Sequence, residues 1–458
     1  MSTGRTTNAA PGLFSPELRA VTVGLVLLIS LIAFENMGVS TAMPALIDDL
    51  GTTDQYAWPF VAFVAANVVG TVLGGRWCDA HGPRTALLAA PAVFGLGLLV
   101  AGLAPTMAQL LAGRVLQGLG AGAQGVAVYV LIAAVYAEAA RPAVFGLISS
   151  AWVLPSLIGP PVAGVVTETF SWHWVFLGLL PLVVLATALV VPVARRLGPP
   201  SESRTPVGRV VPYALAAALG VAALSWAGQE TTVTGAVVAA VALLVLLPSL
   251  QRLVPPGTLR ARPGVAAVVA ARGLLSGGFF AVTAMLPLVL TDVHGWSLAA
   301  AGTPLIAGSL GWSASAAWQG RRGDLPRGLL LRVGFGAIAV ASLGLLVVTP
   351  EDGVPWLALP LWAVAGLGMG LAFSSLSFLL LRSSATAEVG ANSAAAQLTD
   401  GLAQSTFVGL GGALLVLTGS TSGGVAVLLL VVVGLATTGA TISGRAAADR
   451  RTPAVRVG

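Results

Sequence analysis

The sequence predicts an all-α integral membrane protein of fourteen transmembrane helices, two six-helix bundles with an inserted helix pair between them. Three observations predict it. Of 458 residues, 56% are hydrophobic and only 9% charged, with a mean hydropathy of +0.92, whereas a soluble protein carries about 25% charge. Lipid must therefore solvate most of the surface. Apolar runs of about 20 residues, the length needed to cross hydrocarbon, recur along the whole chain between short Gly, Pro or charged breaks. The arginines, finally, fall on one side of those runs.

Taken in order, the runs centre near residues ~33, 67, 94, 120, 154, 184, 219, 242, 276, 309, 338, 368, 404 and 433, each about 20 residues long. An even number puts both termini on one side. With that side cytoplasmic, two of the 23 basic residues (Arg114 and Arg272) lie within spans, the other 21 lie in cytoplasmic segments and none lies outside. The external loops carry Asp48, Asp49, Asp54, Glu168, Glu230, Asp292, Glu351 and Asp352 instead. Losing one span would break this asymmetry, so the number of spans and the sidedness check each other.

The division expected is a cytoplasmic tail (1–18), a first six-helix bundle (19–197), a linker with two extra transmembrane helices (198–262), a second six-helix bundle (263–445) and a cytoplasmic tail (446–458). The first eighteen residues are polar and the run after them is too long for a cleaved signal peptide, so nothing is expected to be removed. The inserted pair, Val210 to Gly228 and Val233 to Leu250, is required because Arg195, Arg196, Arg204 and Arg209 before it and Arg252, Arg260 and Arg262 after it share a face only if the chain crosses twice. An internal repeat supports two related halves: Gln117-Gly-Leu-Gly-Ala-Gly122 in the fourth span and Ala365-Gly-Leu-Gly-Met-Gly370 in the twelfth.

Composition also excludes chemistry. Every basic residue is arginine, so there is no lysine for a Walker phosphate loop, a protein kinase or a Schiff base. No loop is long enough to build a soluble catalytic site, and an enzyme is not expected. One cysteine, Cys78, allows no internal disulfide. His81, His173 and His294 stand far apart with no ligand spacing, so no metal is expected. The net charge of +6 is orientation signal rather than a nucleic-acid surface.

The turn between the second and third spans carries Gly75, Asp79, Gly82 and Arg84 in the pattern GxxxDxxGxR. Asp79 can complement the positive N-terminus of a neighbouring helix while pairing with Arg84, and the glycines allow a tight turn. A weak echo stands at Gly320, Arg321, Arg322, Gly323 and Asp324. In the fourth span, Leu111-Ala-Gly-Arg-Val-Leu-Gln-Gly-Leu-Gly120 buries Arg114, which costs roughly 2.5–3.5 kcal/mol on insertion scales and demands a partner. Glu35 rises ~24 Å above Arg19 and Arg114 lies ~13 Å below Pro105, depths that side-chain length can bridge across a ~30 Å core. The fifth span holds Gly146, Gly159, Pro160 and Gly164, small residues and a proline that permit sealing and a kink. The sixth begins Ser171-Trp-His-Trp-Val-Phe176; aromatics here suit the membrane interface. Arg272 and Asp400 sit eight to ten positions inside helices that both rise from the cytoplasm, so they share a depth and are expected to form a second pair.

These motifs resemble those of the major facilitator superfamily, and specifically its QacA/EmrB-type drug:proton antiporters with fourteen spans. The Gly75–Arg84 turn resembles its motif A, with Ala80 where a basic residue is usual; residues 111–120 resemble motif B; Phe34-Glu35-Asn36 to Pro44 resembles the acidic first-span motif, with Glu in place of the commoner Asp. Gly146 to Gly164 resembles the exporters' antiporter motif, departing at Pro155 and Ala163, and residues 171–176 resemble a WRWxF signature with His173 for arginine. An ion pair made at His173 would be pH-dependent or absent.

The resemblance implies a major facilitator fold in a bacterial plasma membrane, multi-pass with both termini cytoplasmic, exporting an amphipathic or cationic small molecule by alternating access against a proton gradient. No cofactor, no nucleic acid and a monomer surrounded by lipid are expected. It implies proton coupling at Glu35 and Arg114, and substrate or second-proton binding at Asp400 beside Arg272. Trp152, Phe279, Phe280, Trp312 and Phe373 are candidate cavity lining. The halves are not equivalent, because Trp362 stands where the first half has Arg114. Two alternatives stay open: an exporter dedicated to one natural product or lipid, and a membrane sensor that kept the fold and lost transport. The five-residue connection Gly419–Gly423 argues against dedicated lipid handling.

Overall fold

The computed structural model describes residues 12–50, 58–197, 210–227, 233–322 and 324–448. Asp54, Arg204, Arg209, Gly228, Glu230 and Gly323, named above, lie outside the described residues. The first group of helices is α1 (Arg19–Leu50), α2 (Trp58–His81), α3 (Pro83–Gly102), α4 (Met107–Val135), α5 (Arg141–Ser150), α6 (Val153–Thr169), α7 (His173–Leu177) and α8 (Leu180–Ala194). A hairpin follows, α9 (Val211–Ala227) and α10 (Val233–Leu253). The second group is α11 (Val265–Asp292), α12 (Leu298–Ala301), α13 (Thr303–Gly320), α14 (Arg327–Leu345), α15 (Ala358–Ser383), α16 (Val389–Thr418) and α17 (Thr421–Ala446). Among the described residues nine helices are long and apolar enough to cross a membrane.

Local chemistry sets the boundaries. The Thr106 hydroxyl accepts from the Gln109 N–H and caps α4, and Ser420 does the same for Gly423 at α17. Between α16 and α17, Gly419 takes φ +65°, the left-handed geometry that ends helices cheaply only at glycine. Gly82 turns the chain into α3 at φ +80°.

The internal repeat is visible as packing. In the first group α4 is clasped by α2 and α3, and in the second α15 is clasped by α13 and α14. Gly118 lies against the Phe63 carbonyl of α2, Gly120 against the Phe94 backbone of α3 and Gly122 against the Asn67 carbonyl of α2. Gly366, Gly368 and Gly370 repeat the order, against Gly308 of α13, Gly334 of α14 and Trp312 of α13. At most of these sites a Cβ would overlap backbone, so glycine lets the helices approach to main-chain contact.

The two groups meet at the face that carries the helix-end arginines. There α2 packs on α16, α5 on α13 and α15, and the end of α4 on α16. The exposed pair Glu138–Arg382, 3.4 Å, bridges the same face. The inserted hairpin is lopsided: α9 packs on α2 and reaches α16, whereas α10 packs on α9. Ala214, Ala217, Ala218 and Val221 of α9 form one apolar cluster with Val68 and Val72 of α2 and Leu398 and Leu402 of α16.

Candidate functional site

Arg114 of α4 extends between α2 and α1, and there it meets Glu35. Both side chains are sealed from solvent, at 1% and 0% exposure, and Arg114 Nη1 donates to Glu35 Oε1. The guanidinium also donates to Gln117 Oε1 at 2.7 Å and to the Pro59 carbonyl at 3.1 Å, and it lies 4.5 Å over the Phe63 ring. Glu35 Oε2, Gln117 Nε2 and Gln124 Oε1 have no hydrogen-bond partner among the described residues, although Gln124 Nε2 donates to the Leu28 carbonyl of α1 at 3.0 Å. A buried polar atom left unmatched costs about 1–3 kcal/mol. The α1–α4 seam therefore holds a charge pair whose acid keeps a free oxygen.

The second pair is wired differently. Arg272 of α11 donates through Nε to both carboxylate oxygens of Asp400 on α16, at 3.1 Å each, and through Nη2 to Oδ2. Ser276 Oγ donates to Asp400 Oδ1 at 2.9 Å. The remaining nitrogen, Nη1, donates to Ser377 Oγ of α15 at 2.9 Å and to the Tyr129 hydroxyl of α4 at 3.4 Å. Phe373 lies beneath, its ring centre 4.0 Å from the guanidinium. Arg272 is 1% exposed and Asp400 18%, so the acid alone faces an opening. Tyr129 belongs to the first helix group and every other partner to the second. Nothing in the sequence singles out Tyr129 or Ser377, because hydroxyls are common in such helices and the register between the groups is not written locally.

Four of the five candidate lining aromatics form one cluster. Phe279 meets Phe280 and Trp312 edge-on, at 5.5 and 5.9 Å between centres, and Trp312 meets Phe373 at 5.4 Å. Trp362 completes it, stacked on Phe279 at 4.9 Å and 1% exposed. Where α4 offers Arg114 to an acid of α1, α15 thus offers an indole to a ring of α11. Trp152 stands apart at the α5–α6 break, 42% exposed.

Residues 25–408 match the Major Facilitator Superfamily. The chain belongs to this superfamily. It is 26% identical over 371 residues to multidrug resistance protein 3 of Bacillus subtilis, covering 78% of this chain and 71% of that one. It is 29% identical over 419 residues to a probable multidrug-efflux transporter of Mycobacterium tuberculosis, covering 84% and 85%. Among solved structures, the human organic anion transporter TETRAN superposes with a TM-score of 0.69 at 14% identity, covering 93% of this chain and 99% of that one. The protein is a multi-pass membrane transporter and not an enzyme.

The superfamily's motifs locate as follows. Asp79 accepts the Gly390 and Ala391 N–H groups, each at 2.7 Å, so its carboxylate sits on the positive end of α16. Gly75 makes this possible, since a Cβ there would stand 2.6 Å from the Gly390 carbonyl oxygen. The expected Asp79–Arg84 pair does not form: Arg84 is exposed, and Arg76 and Glu388 are the charges that act on Asp79. The α16 backbone already takes both carboxylate oxygens. The echo at Gly320 is also a seam, with Gly320 against Pro142 and Ala143 of α5.

In the stretch Gly146 to Gly164, Gly146 abuts the Ala316 carbonyl of α13 and Gly159 abuts Met37 of α1, while Gly164 has only ordinary contact, 3.9 Å from Thr41. Pro160 does not break its helix. α6 runs through Pro160 and Pro161, and the interruption falls instead between Ser150 and Val153. His173 makes no ion pair among the described residues; it stacks on Trp172 at 3.7 Å and its Nδ1 meets Ser171 Oγ at 2.7 Å. Trp172 donates to Asp49 Oδ2 at 3.0 Å.

Proposed function

We propose that this transporter is a proton-coupled exporter, an antiporter of amphipathic or cationic organic compounds of the QacA/EmrB type, in a bacterial plasma membrane with both termini cytoplasmic. Reading α5 with α6, α9, α10, α12 with α13, and α16 as crossings beside the nine that are long and apolar enough by themselves gives fourteen spans. In this reading residues 19–197 and 263–445 are the two bundles and 198–262 carry the inserted pair. The arginine-rich face is then cytoplasmic, and its closure makes this conformer the one sealed toward the cell interior.

One observation carries the proposal: a fully buried Glu35 held by Arg114, with one carboxylate oxygen unmatched. Burial favours the neutral form of a carboxyl and a guanidinium opposes it, so small helix movements that lengthen the pair are converted into proton uptake. Proton uptake at Glu35 loosens Arg114 and favours repacking of the halves. Cargo bound from the cytoplasm or inner leaflet returns the proton. Asp400, partly exposed beside the aromatic cluster, supplies the counter-charge for a cationic cargo. The names of the two relatives support a multidrug range.

The deciding experiment is Glu35→Gln in proteoliposomes. Transport driven by a pH gradient is expected to vanish while cargo binding persists; undiminished coupled export refutes the role of Glu35. A panel of toxic cations on expressing cells, with an uncoupler control, separates broad efflux from a single cargo.

A further inference from the structure

The two ion pairs differ in one respect. The neighbours that hold Arg114, namely Pro59, Phe63 and Gln117, belong to the same bundle as Glu35. Arg272 instead receives Tyr129 from the opposite bundle. The Tyr129 hydroxyl is 3.4 Å from Arg272 Nη1 and 3.2 Å from Ser377 Oγ, and its ring packs against Phe145 of α5 at 5.3 Å between centres. Tyr129 lies on the stretch of α4 that meets α16, one helical turn beyond Gly125, whose Cβ position faces Gln397. Separating the bundles at this face must therefore withdraw Tyr129 from Arg272.

We propose that Tyr129 is a positioning residue that makes Arg272 an internal competitor for cationic cargo, effective only while the cytoplasmic faces are joined. With Nη1 held by Tyr129 and Ser377 and the guanidinium plane laid on Phe373, the other two nitrogens point in a fork at Asp400, the geometry in which arginine binds a carboxylate best. A cation at Asp400 must displace that fork. When the faces part, the hydroxyl leaves with α4, Nη1 keeps one acceptor, and the fork loses part of its aim. Asp400 thus binds a cation more readily from the cytoplasm and yields it in the sealed state, which gives export its direction. Ser276, which travels with Asp400 in the same bundle, acts alike in both states. This inference rests on the reading of Asp400 as the counter-charge for cargo.

The test uses the full chain with Cys78→Ala and with Glu138→Cys and Arg382→Cys joined by a short bis-methanethiosulfonate cross-linker, each cysteine thiolate displacing a sulfinate to form a disulfide, which fixes the sealed state at two exposed positions whose charged ends meet in the structure. Ethidium binding is measured by fluorescence. A long hydrogen bond to a guanidinium lies at the weak end of charge-assisted bonds, so Tyr129→Phe in the fixed protein is expected to bind ethidium about tenfold more tightly than its parent. The phenyl ring keeps the Phe145 contact, and an unchanged elution profile and melting temperature verify folding. Unchanged affinity in the fixed Tyr129→Phe protein overturns the inference. Asp400→Asn in the parent separates the two ideas: if it leaves ethidium binding intact, the reading of Asp400 itself falls, whereas weakened binding there with no effect of Tyr129→Phe removes only the tyrosine's role. As a second variant, Tyr129→Leu must tighten binding in the same direction; a loosening overturns the inference equally.

Discussion

Asp79→Asn tests whether the seal between α2 and α16 is electrostatic. In the structure each carboxylate oxygen accepts one backbone N–H of α16 at 2.7 Å, from a side chain only 6% exposed. Asparagine keeps one acceptor and turns an NH₂ group toward the second N–H, so one charge-assisted bond, about 1.5–3 kcal/mol, is lost and a donor faces a donor. The negative charge on the helix N-terminus contributes about 0.3–1 kcal/mol more. A combined loss of about 2–4 kcal/mol lowers the sealed population relative to the open one by roughly 20- to 800-fold. The reporter is Ala316→Cys in a Cys78→Ala background. Ala316 is 0% exposed, with its carbonyl against Gly146 at the same face, and becomes reachable only when the bundles part. Labelling by a membrane-impermeant maleimide in inside-out vesicles is expected to accelerate by at least tenfold. Equal labelling rates for the reporter protein with and without Asp79→Asn would refute an electrostatic latch.

The packing sets four more outcomes. Arg114→Lys cannot satisfy Glu35, Gln117 and the Pro59 carbonyl together, and breaking a buried pair costs about 3–5 kcal/mol, so a fall of several degrees in melting temperature by differential scanning fluorimetry is expected with loss of coupled transport. Trp362→Ala removes the indole stacked on Phe279 and leaves a cavity costing about 3–5 kcal/mol, whereas Trp362→Phe retains most of the stack; thermal denaturation in detergent should rank them in that order. Gly366→Ala and Gly118→Ala both drive a methyl into backbone, so each should reduce the folded yield measured by size-exclusion chromatography, while Gly336→Ala, with open space at its Cβ, should not. Gly82→Ala imposes φ +80°, ψ 166° on an L residue, which costs about 1–3 kcal/mol, and is expected to lower the melting temperature by a few degrees with transport retained.

Much of this site is legible without coordinates because helices convert sequence distance into depth. Counting residues from a boundary puts Glu35 near Arg114 and Arg272 level with Asp400, and the structure brings each pair into contact. The glycine repeat is legible for a similar reason, since small residues at matched positions leave few alternatives to close packing. Contacts across the bundles are not. Tyr129 and Ser377 carry no pattern, and whether they meet depends on a rigid-body fit that no local stretch encodes. Arg84 shows the converse error: it lies five residues from Asp79 in sequence, but the backbone amides of α16 claim the carboxylate. The break at Ala151–Trp152 is hidden because prolines further along α6 are stronger signals, yet the helix passes through them.

The α9–α10 hairpin gives the molecule a bound edge and a loose one. To pull α2 from α16, α9 must be peeled from one of them, baring either Val68 and Val72 or Leu398 and Leu402, whereas no such veneer joins α5 to α13 among the described residues. A volume stitched along its spine swings wide at the fore-edge, and on the same ground the α5–α13 flank is expected to open farther than the α2–α16 flank.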